Sequence, residues 1–313
     1  MFLLLNSCFN KIFSKIHIIS FIFLLFTFVA CDSNAQGDQN SGITVPDGFK
    51  ISVFAGETGR ARHIAINDNG DVYVALRSKK NDGGIAALRD TDGDYKADII
   101  EYFGEFQGTG IKIHNGYLYF GSDTSIVRYK LTPGKLLPEG QPELIAGGFP
   151  YQTQHSAKPF AFDNEGWVYV NVGAPSNACM EQMRTRGSKG MDPCPLLERH
   201  GGIWRFKAEK TGQTQLKDGY RFATGIRNAV AITWNTLHPN LYVVQHGRDQ
   251  LSQFWPDLYT EEDNARLPAE EFFLVKDGMD FGWPYCYYDQ IQGKKVLAPE
   301  YGGDGKITGR CED

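Results

Sequence analysis

Four stretches of this chain follow one plan. Residues 63–76 (HIAINDNGDVYVAL), 110–122 (GIKIHNGYLYFGS), 158–173 (KPFAFDNEGWVYVNVG) and 229–247 (AVAITWNTLHPNLYVVQHG) each run a short apolar segment into a turn. In each, a second apolar segment built around a tyrosine follows. The tyrosines fall at 73, 119, 169 and 242, at intervals of 46, 50 and 73 residues, and the long interval carries an insertion at 174–200. Further apolar segments follow the first three hairpins, at 84–88, 125–131 and 202–207. A period in the 40s with several strands per unit is what a β-propeller blade requires. Four blades are legible, and 272–290 (FFLVKDGMDFGWPYCYYDQ) reads as the start of a fifth.

Composition agrees with many short strands joined by tight turns. Glycine makes up 35 of 313 residues, against a usual ~7%, and aromatics are 13%. The formal charge is −5, and no basic cluster exceeds the pairs Lys79-Lys80 and Lys294-Lys295. A nucleic-acid partner is excluded on electrostatic grounds.

Residues 1–31 read as a targeting segment. Lys11 and Lys15 lead into an apolar run from Ile16 to Val29, and Phe28-Val29-Ala30-Cys31 ends it in the manner of a bacterial lipobox. Cys31 is then the lipidated first residue of an exported protein, periplasmic or on the cell surface, that meets the membrane through its lipid alone; Phe28 stands where the lipobox usually starts with Leu, so simple secretion and an uncleaved anchor are the alternatives. Residues 32–43 form a polar tether, and 44–313 the propeller. Of the remaining cysteines Cys8 lies in the leader, which leaves Cys179, Cys194, Cys286 and Cys311. An even number in an exported chain points to two disulfides. Four cysteines allow three pairings, and the short loops favour Cys179–Cys194 and Cys286–Cys311.

The chemistry concentrates in 219–251 (GYRFATGIRNAVAITWNTLHPNLYVVQHGRDQL). Two strands joined at His238-Pro239-Asn240 place Arg227-Asn228 and His246-Gly247-Arg248 at strand ends, where rigid scaffolds display functional groups. Arg227 offers a planar fork of donors, and Asn228 both a donor and an acceptor.

Six motifs, in order, carry a family resemblance: GTGIKIHNGYLYF (108–120), QHSAKPFAFDNEGWVYVNVG (154–173), CPLLERHGGIWRF (194–206), TGIRNAVAI (224–232), QHGRDQL (245–251) and DFGWPYCYYD (280–289). The chain resembles the glucose/sorbosone dehydrogenase family, especially its sorbosone dehydrogenase-like branch. The resemblance implies an all-β, six-bladed β-propeller, of which this chain holds about four to five blades and is truncated at its C-terminus. It also implies pyrroloquinoline quinone (PQQ) and Ca²⁺ as cofactors, an aldose or sugar aldehyde as substrate, and an external electron acceptor. By the same resemblance His155 is the catalytic base, while Arg227, Asn228 and His246 contact the cofactor. Backbone carbonyls of Gly247 and Arg248 hold the calcium. The chain departs from the soluble glucose dehydrogenases at three positions, with Gln154 in place of Asp, His246 of Gln and Arg248 of Pro.

The reaction needs a base for the hydroxyl proton and an acceptor for hydride. A neutral histidine suits the first role near pH 7, and a quinone the second.

Other features keep two readings. Asp90, Asp92, Asp94 and Asp98 in DTDGDYKAD resemble half of a calcium loop. Glu101 falls at the twelfth position counted from Asp90, but Gly93 falls at the fourth rather than the sixth, so the stretch also reads as an acidic turn between strands. Trp283, Tyr285, Tyr287 and Tyr288 read as a sugar-stacking cluster near the active face or as propeller core. The rival functions are a calcium-dependent propeller lactonase or other hydrolase, and a non-catalytic surface propeller that binds carbohydrate. The first calls for several converging carboxylates, and Asp249 is the main one near the core motif.

Overall fold

The computed structural model describes residues 42–267 and 269–311. The leader, Cys31 and nearly all of the tether lie outside the described residues. Among those residues no helix is long and apolar enough to cross a membrane.

The fold is all-β, with four blades of a propeller in chain order. Ala61–Ile66, Val72–Lys80, Gly83–Arg89 and Ile99–Phe103 form the first. Gly108–His114, Tyr117–Ser122, Ile126–Lys130 and Glu143–Gly147 form the second. The third holds Phe160–Phe162, Trp167–Val172, Gly202–Lys207 and Tyr220–Thr224, and the fourth Ala229–Asn235, Asn240–Gln245 and Glu271–Val275. Within each blade neighbouring strands pair antiparallel in the order in which the chain makes them. The hairpins turn where the sequence supplies residues that tolerate a left-handed backbone. Asn115 and Gly116, at φ 47° and 76°, close the hairpin between His114 and Tyr117 in the manner of an Asn-Gly turn.

The blades meet along their first strands. Ala61–Ile66 lies against Gly108–His114, which touches Phe160–Phe162, which in turn touches Ala229–Asn235. The core is consequently split into layers between successive sheets: Tyr73, Ile85, Leu118 and Phe120 between the first and second, Tyr119, Phe160, Val170 and Phe206 between the second and third, and Tyr169, Phe222, Leu241 and Val243 between the third and fourth. This layering explains the repeated tyrosine. The hydroxyl of Tyr73 donates to the Leu136 carbonyl at 2.8 Å, and that of Tyr119 to the Ala208 carbonyl at 3.0 Å, each bond reaching the next blade. A buried tyrosine adds a large apolar area and one directional bond worth about 1 kcal/mol net. Tyr169 turns its hydroxyl to Asp163 instead, at 3.0 Å, and stacks its ring on Trp234 of the fourth blade.

Two short strands stitch neighbouring blades. Gln213–Thr214 pairs parallel with Glu143–Gly147 on the rim of the second blade, and Met279–Asp280 pairs parallel with Tyr220–Thr224 on the rim of the third. Each covers an edge that would otherwise present unpaired backbone groups.

The segment 272–290 does not begin a fifth blade. Its first residues complete the fourth, with Val243 opposite Phe273. Cys286–Asp289 and Lys294–Leu297 make a separate hairpin. Both disulfides form, Cys179–Cys194 and Cys286–Cys311. The first pins the 174–200 insertion against the ring of Trp283.

Candidate active site

One face of the molecule collects the residues that precede each blade's first strand and those that follow its second. In the third blade these are His155 and Gly173-Ala174, and in the fourth Arg227-Asn228 and His246 to Asp249. They are knitted together by backbone bonds. The Ala174 amide donates to the Arg227 carbonyl at 2.8 Å, and the His246 amide to the Asn228 carbonyl at 3.1 Å. Asn171, fully buried, joins the two blades beneath them by accepting from the Ala229 amide at 3.2 Å.

His155 sits in the left-handed region, at φ 51°. For a residue other than glycine this conformation is uncommon and tends to mark a functional turn. Its Nδ1 lies 2.6 Å from the Ala174 carbonyl oxygen. A carbonyl can only accept, so Nδ1 carries the proton and Nε2 of the neutral ring is left with its lone pair. Burial, reinforced by the positive charge of Arg227, pushes the ring's pKa down to about 4. The imidazole is therefore neutral at pH 7 and able to accept a proton at Nε2.

Arg227 is nearly buried. One terminal nitrogen donates to the Gly247 carbonyl at 2.8 Å and, more weakly, to that of His246 at 3.4 Å. The other donates to Asp249 Oδ1 at 2.8 Å. Burial brings its pKa down to about 10 even with Asp249 beside it. For Asp249, the opposing effect of burial is outweighed by Arg227 and the Asn177 amide, which hold its carboxyl below the usual range. The Arg227 Nε and the Asn228 Oδ1 are buried without partners among the described residues. Orphaned buried polar atoms are costly, and of the two residues Arg227 lines a cleft together with Gln245, His246, Glu271, Trp283 and Tyr287. The unpartnered Arg227 Nε is a donor suited to a carboxylate or carbonyl oxygen such as PQQ carries, whereas Asn228 Oδ1 can only accept.

Calcium does not fit the carbonyl assigned to it. The Gly247 oxygen already accepts from a guanidinium, and a divalent cation on the same oxygen would face that positive charge. Arg248 likewise does more than present a carbonyl. Its side chain is buried in an ion pair with Glu300 at 2.7 Å, and the Trp255 indole donates to the same oxygen at 2.9 Å. His246 turns its Nδ1 to Glu270 at 3.0 Å, and Glu270 also takes the Gly247 amide at 3.0 Å. Sequence reasoning missed Glu270 and Gln152 because no motif contains them, and Asn171 because it sits within a strand of the 154–173 motif rather than at a strand end.

The acidic loop gathers Asp90, Asp92 and Asp98, whose ligand atoms lie within 4.8 Å of one another; Asp94 is outside that group. The carboxylates already cap loop amides: Asp90 takes those of Gly93 and Tyr95, Asp98 that of Thr91, and Asp94 that of Lys96. Glu101 lies in the strand Ile99–Phe103 opposite Ala87, so a twelve-position calcium loop does not form. The aromatic cluster is largely structural. Trp283 is buried with its Nε1 donating to the Asn177 carbonyl, Tyr287 bonds Tyr259, and Tyr285 accepts from the Cys194 amide.

The blade order defines a β-propeller, with a histidine, an arginine and an asparagine gathered on one face. Solved structures share the fold. The holo PQQ domain of a pyranose dehydrogenase from Coprinopsis cinerea matches at TM-score 0.61 and 15% identity, over 78% of this chain and 58% of that one. Two structures of a Trichoderma reesei carbohydrate-active enzyme of family AA12, one with iodide and one with calcium, match at TM-scores 0.66 and 0.65 and 14% identity. Each of those covers 86% of this chain and 69% of the other. The chain thus spans a little under three fifths of the Coprinopsis domain. A model of the TrAA12-like family matches residues 43–296, and the chain belongs to that family. A comparison with curated protein sequences finds no match.

Proposed function

We propose that this protein is a PQQ-dependent dehydrogenase that oxidises an aldose or sugar aldehyde of the sorbosone type, with an external electron acceptor as its partner. The observation that carries the reading is the pairing, through Ala174, of a neutral, singly oriented His155 with Arg227, whose Nε is buried without a partner among the described residues. Bound quinone supplies the hydride acceptor. Arg227 would hold its carboxylates or carbonyls through charge-assisted bonds, and Asn228 would fix its orientation. His155 Nε2 would take the hydroxyl proton of the sugar, and the bond from Nδ1 to Ala174 would steady the imidazolium that results. The Gly247 carbonyl is engaged by Arg227, so no step is routed through calcium. Export, and anchorage through a lipid on Cys31, complete the proposal; the two disulfides support an oxidising compartment.

The test is dye-linked oxidation of a panel of aldoses, with and without added PQQ and Ca²⁺, alongside calorimetric titration of PQQ into the protein. The expected result is PQQ binding, and turnover that depends on it. In His155→Gln, turnover should fall ~10²–10⁴-fold while PQQ affinity is kept. No PQQ binding by the wild-type protein would overturn the reading. Equal losses of affinity and turnover in His155→Gln would make His155 a binding residue.

A further inference from the structure

Two side chains outside the catalytic face touch the turn that carries His155. Gln152 is buried, and its single amide nitrogen reaches three carbonyls, those of Gln154 at 2.8 Å, His155 at 2.9 Å and Gly173 at 2.9 Å. Lys158 is wholly buried, an unusual place for a lysine, and its Nζ donates to the Ser156 carbonyl at 2.7 Å. Three successive carbonyls, at 154, 155 and 156, are thus taken up from beneath by two buried side chains. The turn needs such support. Its left-handed residue has no intrinsic preference for that backbone, and strained positions persist when the surroundings over-determine them.

The architecture makes room for the lysine. A Cβ on Gly110 or Gly121 would come within 2.2 and 2.3 Å of the Lys158 carbonyl oxygen. Glycine at both positions lets the Lys158 backbone press into the seam between the second and third blades. Asp123 of the second blade attracts the Lys158 ammonium, while burial brings its pKa down to about 8, so it keeps its proton at neutral pH. Arg77 of the first blade touches the Ser156 hydroxyl at 3.5 Å from the other side.

We propose that Gln152 and Lys158 are positioning residues for His155, a two-handed clamp on consecutive carbonyls that holds Nδ1 on Ala174 and so leaves Nε2 as the ring's free acceptor. Its consequence for turnover rests on the dehydrogenase reading above; its consequence for the ring does not. Neither residue reaches the reacting atoms, so the clamp acts through geometry alone. A displacement of about 1 Å at a catalytic group costs on the order of 10²-fold in rate.

The experiment is nitrogen NMR of the full chain labelled with ¹⁵N-histidine, without cofactor, at pH 7, with His155→Gln locating the His155 signals. The wild type should show His155 protonated at Nδ1 and bare at Nε2. In Lys158→Met and in Gln152→Met that signature should give way to exchange between tautomers, while Lys158→Gln, which keeps a donor for the Ser156 carbonyl, should retain it. Thermal melting establishes which variants are folded, and if Lys158→Met is not, Gln152→Met reads the same quantity. In the PQQ-loaded protein kcat should fall on the order of 10²-fold in the Met variants, with KM held within about twofold. A wild-type His155 spectrum in a folded Met variant would overturn the clamp. An altered spectrum in a protein that shows no PQQ-dependent turnover would uphold the clamp and overturn the dehydrogenase reading instead.

Discussion

His155 and Arg227 are tied to opposite ends of one residue. Ala174 accepts from the His155 ring at 2.6 Å and donates to the Arg227 carbonyl at 2.8 Å. A base and a cation from two blades are thereby fixed relative to each other through a single residue just past the end of a strand. The cation's charge then acts on the base, helping to keep the imidazole neutral.

That relationship makes Gly173 a sensitive position. A Cβ there would lie 2.7 Å from the His155 carbonyl oxygen and 2.8 Å from Asn228 Oδ1. The first is held by the Gln152 amide, and the second is buried with no room to retreat into solvent. Gly173→Ala is expected to lower kcat ~10²-fold while costing about 1–3 kcal/mol of stability. Turnover in the PQQ-loaded protein and urea unfolding, measured on the same preparation, check the two numbers.

Arg227→Ala should differ from loss of the base. Its guanidinium holds Asp249 and the 246–247 carbonyls before any ligand arrives. Its removal leaves a buried carbonyl unpaired and a half-exposed carboxylate without its partner, so a destabilisation of about 1–3 kcal/mol is expected. PQQ affinity and turnover should fall together, because the charge is lost to ground and transition states alike. Calorimetric titration of PQQ, together with kcat, separates this from the His155→Gln pattern.

The depressed pKa of His155 sets a pH dependence of stability. Its folded value of about 4 lies below the ordinary 6.5, so between those values the unfolded chain binds more protons at this group. Stability from this residue is therefore complete above pH 6.5 and is lost progressively down to pH 4. The loss approaches about 3 kcal/mol at 1.36 kcal/mol per unit. Urea unfolding from pH 7 to 4 should show a steeper decline in the wild type than in His155→Gln.

The Cys179–Cys194 bridge closes a loop of 15 residues that contains little regular structure. Chain entropy gives it about 3 kcal/mol. Replacing both cysteines with Ala should lower stability by about that amount and raise proteolysis within 180–193. An unchanged proteolytic pattern would show that the insertion is held without the bridge by Trp283 and by Tyr301, whose hydroxyl reaches the Ala178 carbonyl at 3.0 Å and the Met191 carbonyl at 3.3 Å.

The local sequence determined the blades. Alternating apolar residues around Asn-Gly turns can bury only one arrangement of faces, and the tyrosine at the same register in successive units reports the layer between sheets. The two cysteine pairs were legible for a similar reason, since short loops limit which thiols meet. His155, Arg227 and Asn228 were legible as strand-end residues within recognisable motifs. The motifs did not reveal that Gly247 offers its carbonyl to a guanidinium, or that Arg248 is spent on Glu300, 52 residues away. They also made the strand at 272–275 the start of a fifth blade where it closes the fourth, because an apolar strand reads alike in either place. Only the tertiary structure decided these points. Hydrogen-bond partners and charges act through distance, and the propeller brings together residues such as 152, 174, 227 and 249 whose separation along the chain carries no signal.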